Sequence, residues 1–230
     1  MSIIEHAPAW GKESNRTTEP SPWTARTKLG FAALWLVWLA AAYVIGSEQL
    51  LASNQPGLLR PIAVMVVVPV GLFFAAYWAL PWVRSLVHAA DIRTLTMVQH
   101  WRVIGFGFLP LFALGVLPGL FALPAGLGDV ALGIGALYVV GRFDRDPNYR
   151  TSSGLVRFHV LGLADFALAV TAAGLSSGVA PALLFGGPTS AGMEVWPLSI
   201  FPTILVPSFI IAHAVVLLKV RHLRRIGTAG

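Results

Sequence analysis

Asp129 and Asp165 stand in two stretches of nearly the same sequence, Gly126-Leu-Gly-Asp129-Val-Ala-Leu-Gly-Ile-Gly-Ala136 and Gly162-Leu-Ala-Asp165-Phe-Ala-Leu-Ala-Val-Thr-Ala172, with six of eleven aligned positions identical. Each copy places one carboxylate among apolar and small residues, in a segment apolar enough to cross a bilayer. An acid is expensive there and is retained for a partner or a task. Helical spacing puts Gly126, Asp129, Gly133 and Ala136 on one face, and Gly162, Asp165, Ala169 and Ala172 on another. Small residues let backbones approach, so both faces are expected to turn into a helix bundle.

Arg102 is the expected partner. At a rise of about 1.5 Å per residue, Asp165 lies ten residues into its span, near the midplane of a ~30 Å core. Arg102 falls roughly 10–12 Å from the cytoplasmic edge on the same scale, a gap that a guanidinium side chain bridges. Asp129 comes only four or five residues into its span. It reads either as a solvated acid favoured by the positive helix N-terminus or as an external proton relay. Gln99 precedes Arg102 by three residues and shares its helical face. Asp165, Arg102, Asp129 and Gln99 are thus the expected proton or ion-pair centre. Apolar surroundings disfavour a carboxylate's charged form, which would bring proton exchange toward neutral pH.

His100, His159 and His213 form a second constellation, at similar estimated depths of ~6–12 Å on three spans. Two of them would meet across facing helices, and paired imidazoles ligate haem or a transition metal. No closely spaced ligand motif accompanies them. In the last span Pro202 and Pro207 each remove an amide donor and free a carbonyl one turn back. With Thr203 and Ser208 beside them, they mark a candidate gating helix.

Positioning these groups requires membrane-crossing helices. Of the 230 residues 56% are hydrophobic and 11% charged, against roughly a quarter charged in soluble domains. The fold class predicted is an all-α polytopic membrane bundle. Six spans of about 20 apolar residues are expected, at 27–46, 61–83, 94–117, 125–142, 155–176 and 196–220. They lie between a disordered cytoplasmic tail over 1–26 and a basic cytoplasmic tail over 223–230, with 27–222 as one transmembrane domain. With both termini inside, the cytoplasmic segments collect fourteen of the sixteen Lys and Arg residues, as orientation by positive charge demands. Only Arg60 falls outside, and Arg102 falls within the third span. The net charge of +6 therefore belongs to membrane topology and not to nucleic-acid binding. The long external loop, Ser176 to Val195, would be irregular and would cap a cavity.

The chain has no cysteine, no Walker-type phosphate loop, no Gly-x-Ser-x-Gly elbow and no His-Glu-x-x-His helix. It does not read as an enzyme. The sequence leads to an integral protein of the plasma (inner) membrane that transports a small solute or ion around a proton-linked Asp/Arg centre. Two alternatives stand beside it: a haem- or metal-binding redox protein using the intramembrane histidines, and a non-catalytic accessory subunit of a larger membrane complex. Expected partners are the lipid bilayer, a small-molecule or ion ligand, and further copies of the chain or a larger assembly.

Overall fold

The computed structural model describes residues 21–53, 61–179 and 187–227. Every element among them is helical. In order they are α1 (Ala25–Ser47), a 3-10 turn (Pro61–Ala63) leading into α2 (Val64–Ala79), α3 (Pro81–Ala89), α4 (Ile92–Val98), a 3-10 segment (Gln99–Gly107), α5 (Phe108–Ala113), α6 (Gly119–Arg145), a short 3-10 turn (Pro147–Thr151), α7 (Ser153–Gly174) with a π extension of that helix (Leu175–Val179), a 3-10 turn (Ser190–Glu194), a separate π turn (Phe201–Leu205) and α8 (Val206–Gly227). Among the described residues five helices are long and apolar enough to cross a membrane: Ala25–Ser47, Pro61–Ala79, Gly119–Arg145, Ser153–Gly178 and Phe201–Ile226. They mark the chain as a membrane protein. The large apolar side chains of α1 and α2, among them Leu34, Leu36, Val37, Val67 and Leu72, remain exposed on the bundle, as contact with acyl chains requires.

Several sequence boundaries are corrected. Thr24 caps α1 by accepting from the Thr27 amide at 3.2 Å, and the Trp23 indole donates to the Leu86 carbonyl at 3.1 Å. The residues just before α1 are therefore held structure, while the rest of the expected tail, 1–20, lies outside the described residues, as does Arg60. The expected second span, 61–83, ends early. Leu80 is extended (φ −113°, ψ 109°) because a residue before proline is pushed out of the helical region, and Pro81 starts α3. The fourth span begins at Gly119 instead of 125, since Pro118 is extended and caps α6 while Pro124 is accommodated within it. The basic stretch expected as a tail from 223 continues α8 as far as Gly227.

The largest departure is at the expected third span, 94–117, which is not among these five helices. It is a 22-residue helical run, Ile92 to Ala113, whose middle nine residues are 3-10. In that geometry side chains three apart eclipse. Gln99, Arg102 and Gly105 consequently align and are buried, while Trp101, Ile104 and Phe106 face outward.

α6 and α7 form an antiparallel pair in the register that sets Gly128 against the Asp165 carboxylate and Gly135 against the Phe158 ring. Two apolar clusters flank the middle of this pair. One gathers Ile92, Ala136, Val139, Leu155, Phe158, Val216 and Val220; the other gathers Phe108, Leu117, Phe121, Ala125, Ala172 and Met193. Along both helices the acids fall between the two clusters, so a polar centre is enclosed from both ends.

Pro207 leaves the Thr203 carbonyl without its helical donor. The Trp38 indole of α1 supplies one, at 2.7 Å. Replacing Trp38 by Phe keeps the ring but orphans this carbonyl. We expect a loss of about 1 kcal/mol, read as earlier unfolding in detergent; unchanged stability would show that the bond contributes nothing.

Candidate functional site

Arg102 is 1% exposed, and all three of its guanidinium nitrogens are engaged. Nε donates to Asp129 Oδ1 at 2.8 Å, and Nη2 lies 2.7 Å from the same oxygen. Nη2 also donates to Asp165 Oδ2. Nη1 faces the Gly162 carbonyl at 3.4 Å and His213 Nε2 at 3.3 Å. The guanidinium plane rests on Phe166, its carbon 3.9 Å from the ring centroid, a geometry that attracts a cation to the π face.

The predicted Arg102–Asp165 pair is present, and the geometry adds the second acid. Asp129 is not a solvated residue at a helix start: it sits eleven residues into α6 because that helix begins at Gly119. Its side chain is 15% exposed, and that of Asp165 is 13% exposed. One arginine therefore holds both copies of the repeated motif.

A hydrogen-bonded chain leads from Arg102 into the interior. His213 Nδ1 and His159 Nδ1 are 2.7 Å apart, His159 Nε2 is 3.2 Å from Thr96 Oγ1, and Thr96 Oγ1 donates to the Ile92 carbonyl at 2.8 Å. Donor and acceptor chemistry fixes its direction from both ends. Arginine only donates, so His213 Nε2 must be bare and its proton sits on Nδ1. That proton is given to His159 Nδ1, which must also be bare. The remaining proton of His159 is on Nε2 and goes to the Thr96 hydroxyl, whose own hydrogen is already committed to Ile92. Both imidazoles are neutral in this arrangement.

This geometry does not suit the expected haem or metal site. The two Nδ1 atoms face one another directly, with ring centroids 4.9 Å apart, and both Nε2 atoms are occupied by Arg102 and Thr96. No space for an ion or a macrocycle separates the rings. His100 does not join them: its Nδ1 meets the Gly133 carbonyl at 3.0 Å. Among the described residues no group of three or more His, Asp or Glu side chains gathers as a metal-binding set.

Gln99 is fully buried on the Arg102 face, its amide nitrogen 3.4 Å from the Phe209 carbonyl, while Oε1 has no partner among the described residues. Thr203 donates to the Ser199 carbonyl at 2.6 Å. Pro202 and Thr203 lie in the π turn and Pro207 with Ser208 in the first turn of α8; of these candidate gating residues, Pro202 shares a cavity wall with Asp129. Sequence reasoning missed Thr96, Phe166 and the Gly162 carbonyl. Thr96 could have been found, because it precedes Gln99 by three residues and Arg102 by six.

Beside the triad lies a cavity of ≈ 110 Å³ between α2, α6, α7 and the π turn, with Asp129, Phe166, Ala169, Phe201 and Pro202 among its walls. Ser190 and Glu194 of the turn before α8 also line it; this turn belongs to the loop expected to cap a cavity, of which residues 180–186 lie outside the described residues. His88 and His222 stack outside the centre with centroids 3.8 Å apart. Burial first, then the neighbouring His222, Arg84 and Lys219, keep His88 below the ordinary histidine range.

Fold and site together define an α-helical membrane protein with a charged triad at the centre of its bundle. The chain belongs to a family described as a domain of unknown function, DUF8737, which it matches over residues 59–221. No curated protein and no solved structure matches it. The matched segment contains the triad, the histidine pair and the π turn.

Proposed function

We propose that the chain is a small-solute or ion carrier of the plasma (inner) membrane, linked to proton movement through the Arg102–Asp129–Asp165 triad. The observation that carries this reading is a count of charge. One permanently protonated guanidinium stands between two buried carboxylates, which leaves one formal negative charge in an interior where unbalanced charge is costly. A proton or a cation at the centre balances it, and exchanging the one for the other couples their movements. The adjoining cavity gives a solute access to Asp129, and the π turn gives that wall a bend, a feature often found at functional sites.

The same reading takes the run from Ile92 to Ala113 as the sixth crossing. Nine 3-10 residues at about 2.0 Å each and thirteen α-helical residues at about 1.5 Å each reach ~37 Å, enough for a ~30 Å core. Both termini are then cytoplasmic. Supporting this, basic groups gather at one end of the bundle: Arg93 pairs with Asp144 at 3.2 Å, Arg224 donates to the Thr151 carbonyl at 2.7 Å, and Lys219 to the Ala90 carbonyl at 2.6 Å.

Purified protein in a supported membrane tests the coupling. A downward pH step should produce a transient charge displacement in the unaltered chain. Asp165→Asn and Asp129→Asn each remove the surplus charge and should abolish the transient. A transient of full size in both variants would overturn the reading.

A further inference from the structure

The cavity beside the triad is selective in its chemistry. Asp129 stands on its wall at one place and Glu194, 3% exposed, at another. These are the only ionisable side chains lining it among the described residues, and both are acids. Glu194 accepts from the Ser53 amide at 2.9 Å. The guanidinium of Arg102 is turned away into its ion pairs, and among the described residues no Lys, Arg or His side chain lines the space.

The remaining wall is apolar and partly aromatic. Phe108, Phe121 and Phe201 all line it, Phe108 packing against Phe121 at 5.4 Å and against Phe201 at 4.5 Å between centroids. Ring faces attract cations, most strongly where water is excluded. A wall that joins mutually tilted phenylalanines to an acid in charge excess disfavours anions. It also gains more from a cation than from a neutral molecule of the same shape.

We infer that this cavity binds a compact organic monocation, an alkylammonium group, with its charge toward Asp129 and its alkyl body against Phe108, Phe121 and Phe201. The inference rests on the reading of the interior as a carrier's binding centre and names the class of its solute. The size follows from the volume: a dry apolar cavity of 150 Å³ admits benzene, so ≈ 110 Å³ suits a body of about five heavy atoms. Such a cation balances the charge that a proton on Asp129 or Asp165 would otherwise balance, so the cation and the proton are alternative occupants and the entry of one goes with the departure of the other.

Equilibrium dialysis of the full chain in detergent decides the matter, with radiolabelled tetramethylammonium as probe, tert-butanol as a neutral competitor of the same shape, and pivalate as an anionic competitor carrying the same tert-butyl body. Saturable binding of one tetramethylammonium per chain is expected, with no competition from pivalate and little from tert-butanol. Asp129→Asn keeps the shape of the residue and should weaken binding at least tenfold. Phe201→Leu leaves the triad untouched and should weaken it about threefold or more, the size of one ring's attraction for a cation. Absence of saturable binding, equal competition by tert-butanol, or unchanged affinity in both variants would overturn the inference. Binding is measured without a membrane or a pH gradient, so the two readings fail separately. A pH-step transient without tetramethylammonium binding removes this solute class and leaves the proton-linked carrier. Asp129-dependent binding without a transient keeps the site and removes the carrier.

Discussion

Arg102→Gln should destabilise the protein by about 3–5 kcal/mol, the effect of removing one partner from a buried ionic cluster. Arg102 has essentially no solvent contact, and it is the shared counter-charge of Asp129 and Asp165. Its loss strands two carboxylates against each other between the apolar clusters. The triple variant Arg102→Gln, Asp129→Asn, Asp165→Asn carries no charge at the centre and should recover most of that loss, since an intact neutral arrangement is often no less stable than a buried ion pair. Arg102→Lys should rescue poorly: a single ammonium cannot span two acids, a carbonyl and an imidazole as the planar fork does. Denaturant unfolding in detergent measures all three. A single variant as stable as the parent chain, or a triple variant no better than the single, would show that charge pairing does not hold the centre together.

Gly133→Ala is expected to cost about 1–3 kcal/mol, the range for forcing extra volume into a packed interior. A methyl group at this position would lie 2.9 Å from the Val103 amide nitrogen and 3.1 Å from the His100 carbonyl oxygen. Both are backbone atoms of the 3-10 segment and cannot swing aside as the end of a side chain would. The segment must move away from α6, taking Arg102 with it and lengthening the bond between His100 and the Gly133 carbonyl. Gly141 supplies the control on the same helix, because nothing lies within 4 Å of a methyl group there. Gly141→Ala should be neutral or stabilising by up to about 1 kcal/mol, through helix propensity alone. If the two variants unfold alike, close backbone approach at Gly133 is not what seats the 3-10 segment.

The contrast between these glycines shows where local sequence stops being informative. Both lie in one apolar helix, and only the packing of a neighbouring segment makes one indispensable. Leu80 shows the converse: the restriction imposed by Pro81 is written in the sequence, yet hydropathy runs straight across it and suggests an unbroken span. Hydropathy sums over a window and registers how long an apolar run is, not where it bends.

Composition by itself determined that the chain is helical and belongs in a membrane, because so few charges over so many apolar residues leave lipid as the main surroundings of the helices. Residue positions pointed to a meeting of Arg102 and Asp165, since depth along a helix scales with residue number and a lone charge in an apolar run is costly without a partner. Tertiary structure alone decided that Asp129 shares the same arginine, that His159 and His213 bond directly while His100 turns to a backbone carbonyl, and that Gln99 to Gly107 tighten into a 3-10 segment. The physical reason is rotational. Sequence spacing fixes how deep a side chain lies and which others share its face, but the direction of that face is set by which helices pack closely, and here glycines such as Gly105, Gly128, Gly133 and Gly162 admit the neighbours that orient it.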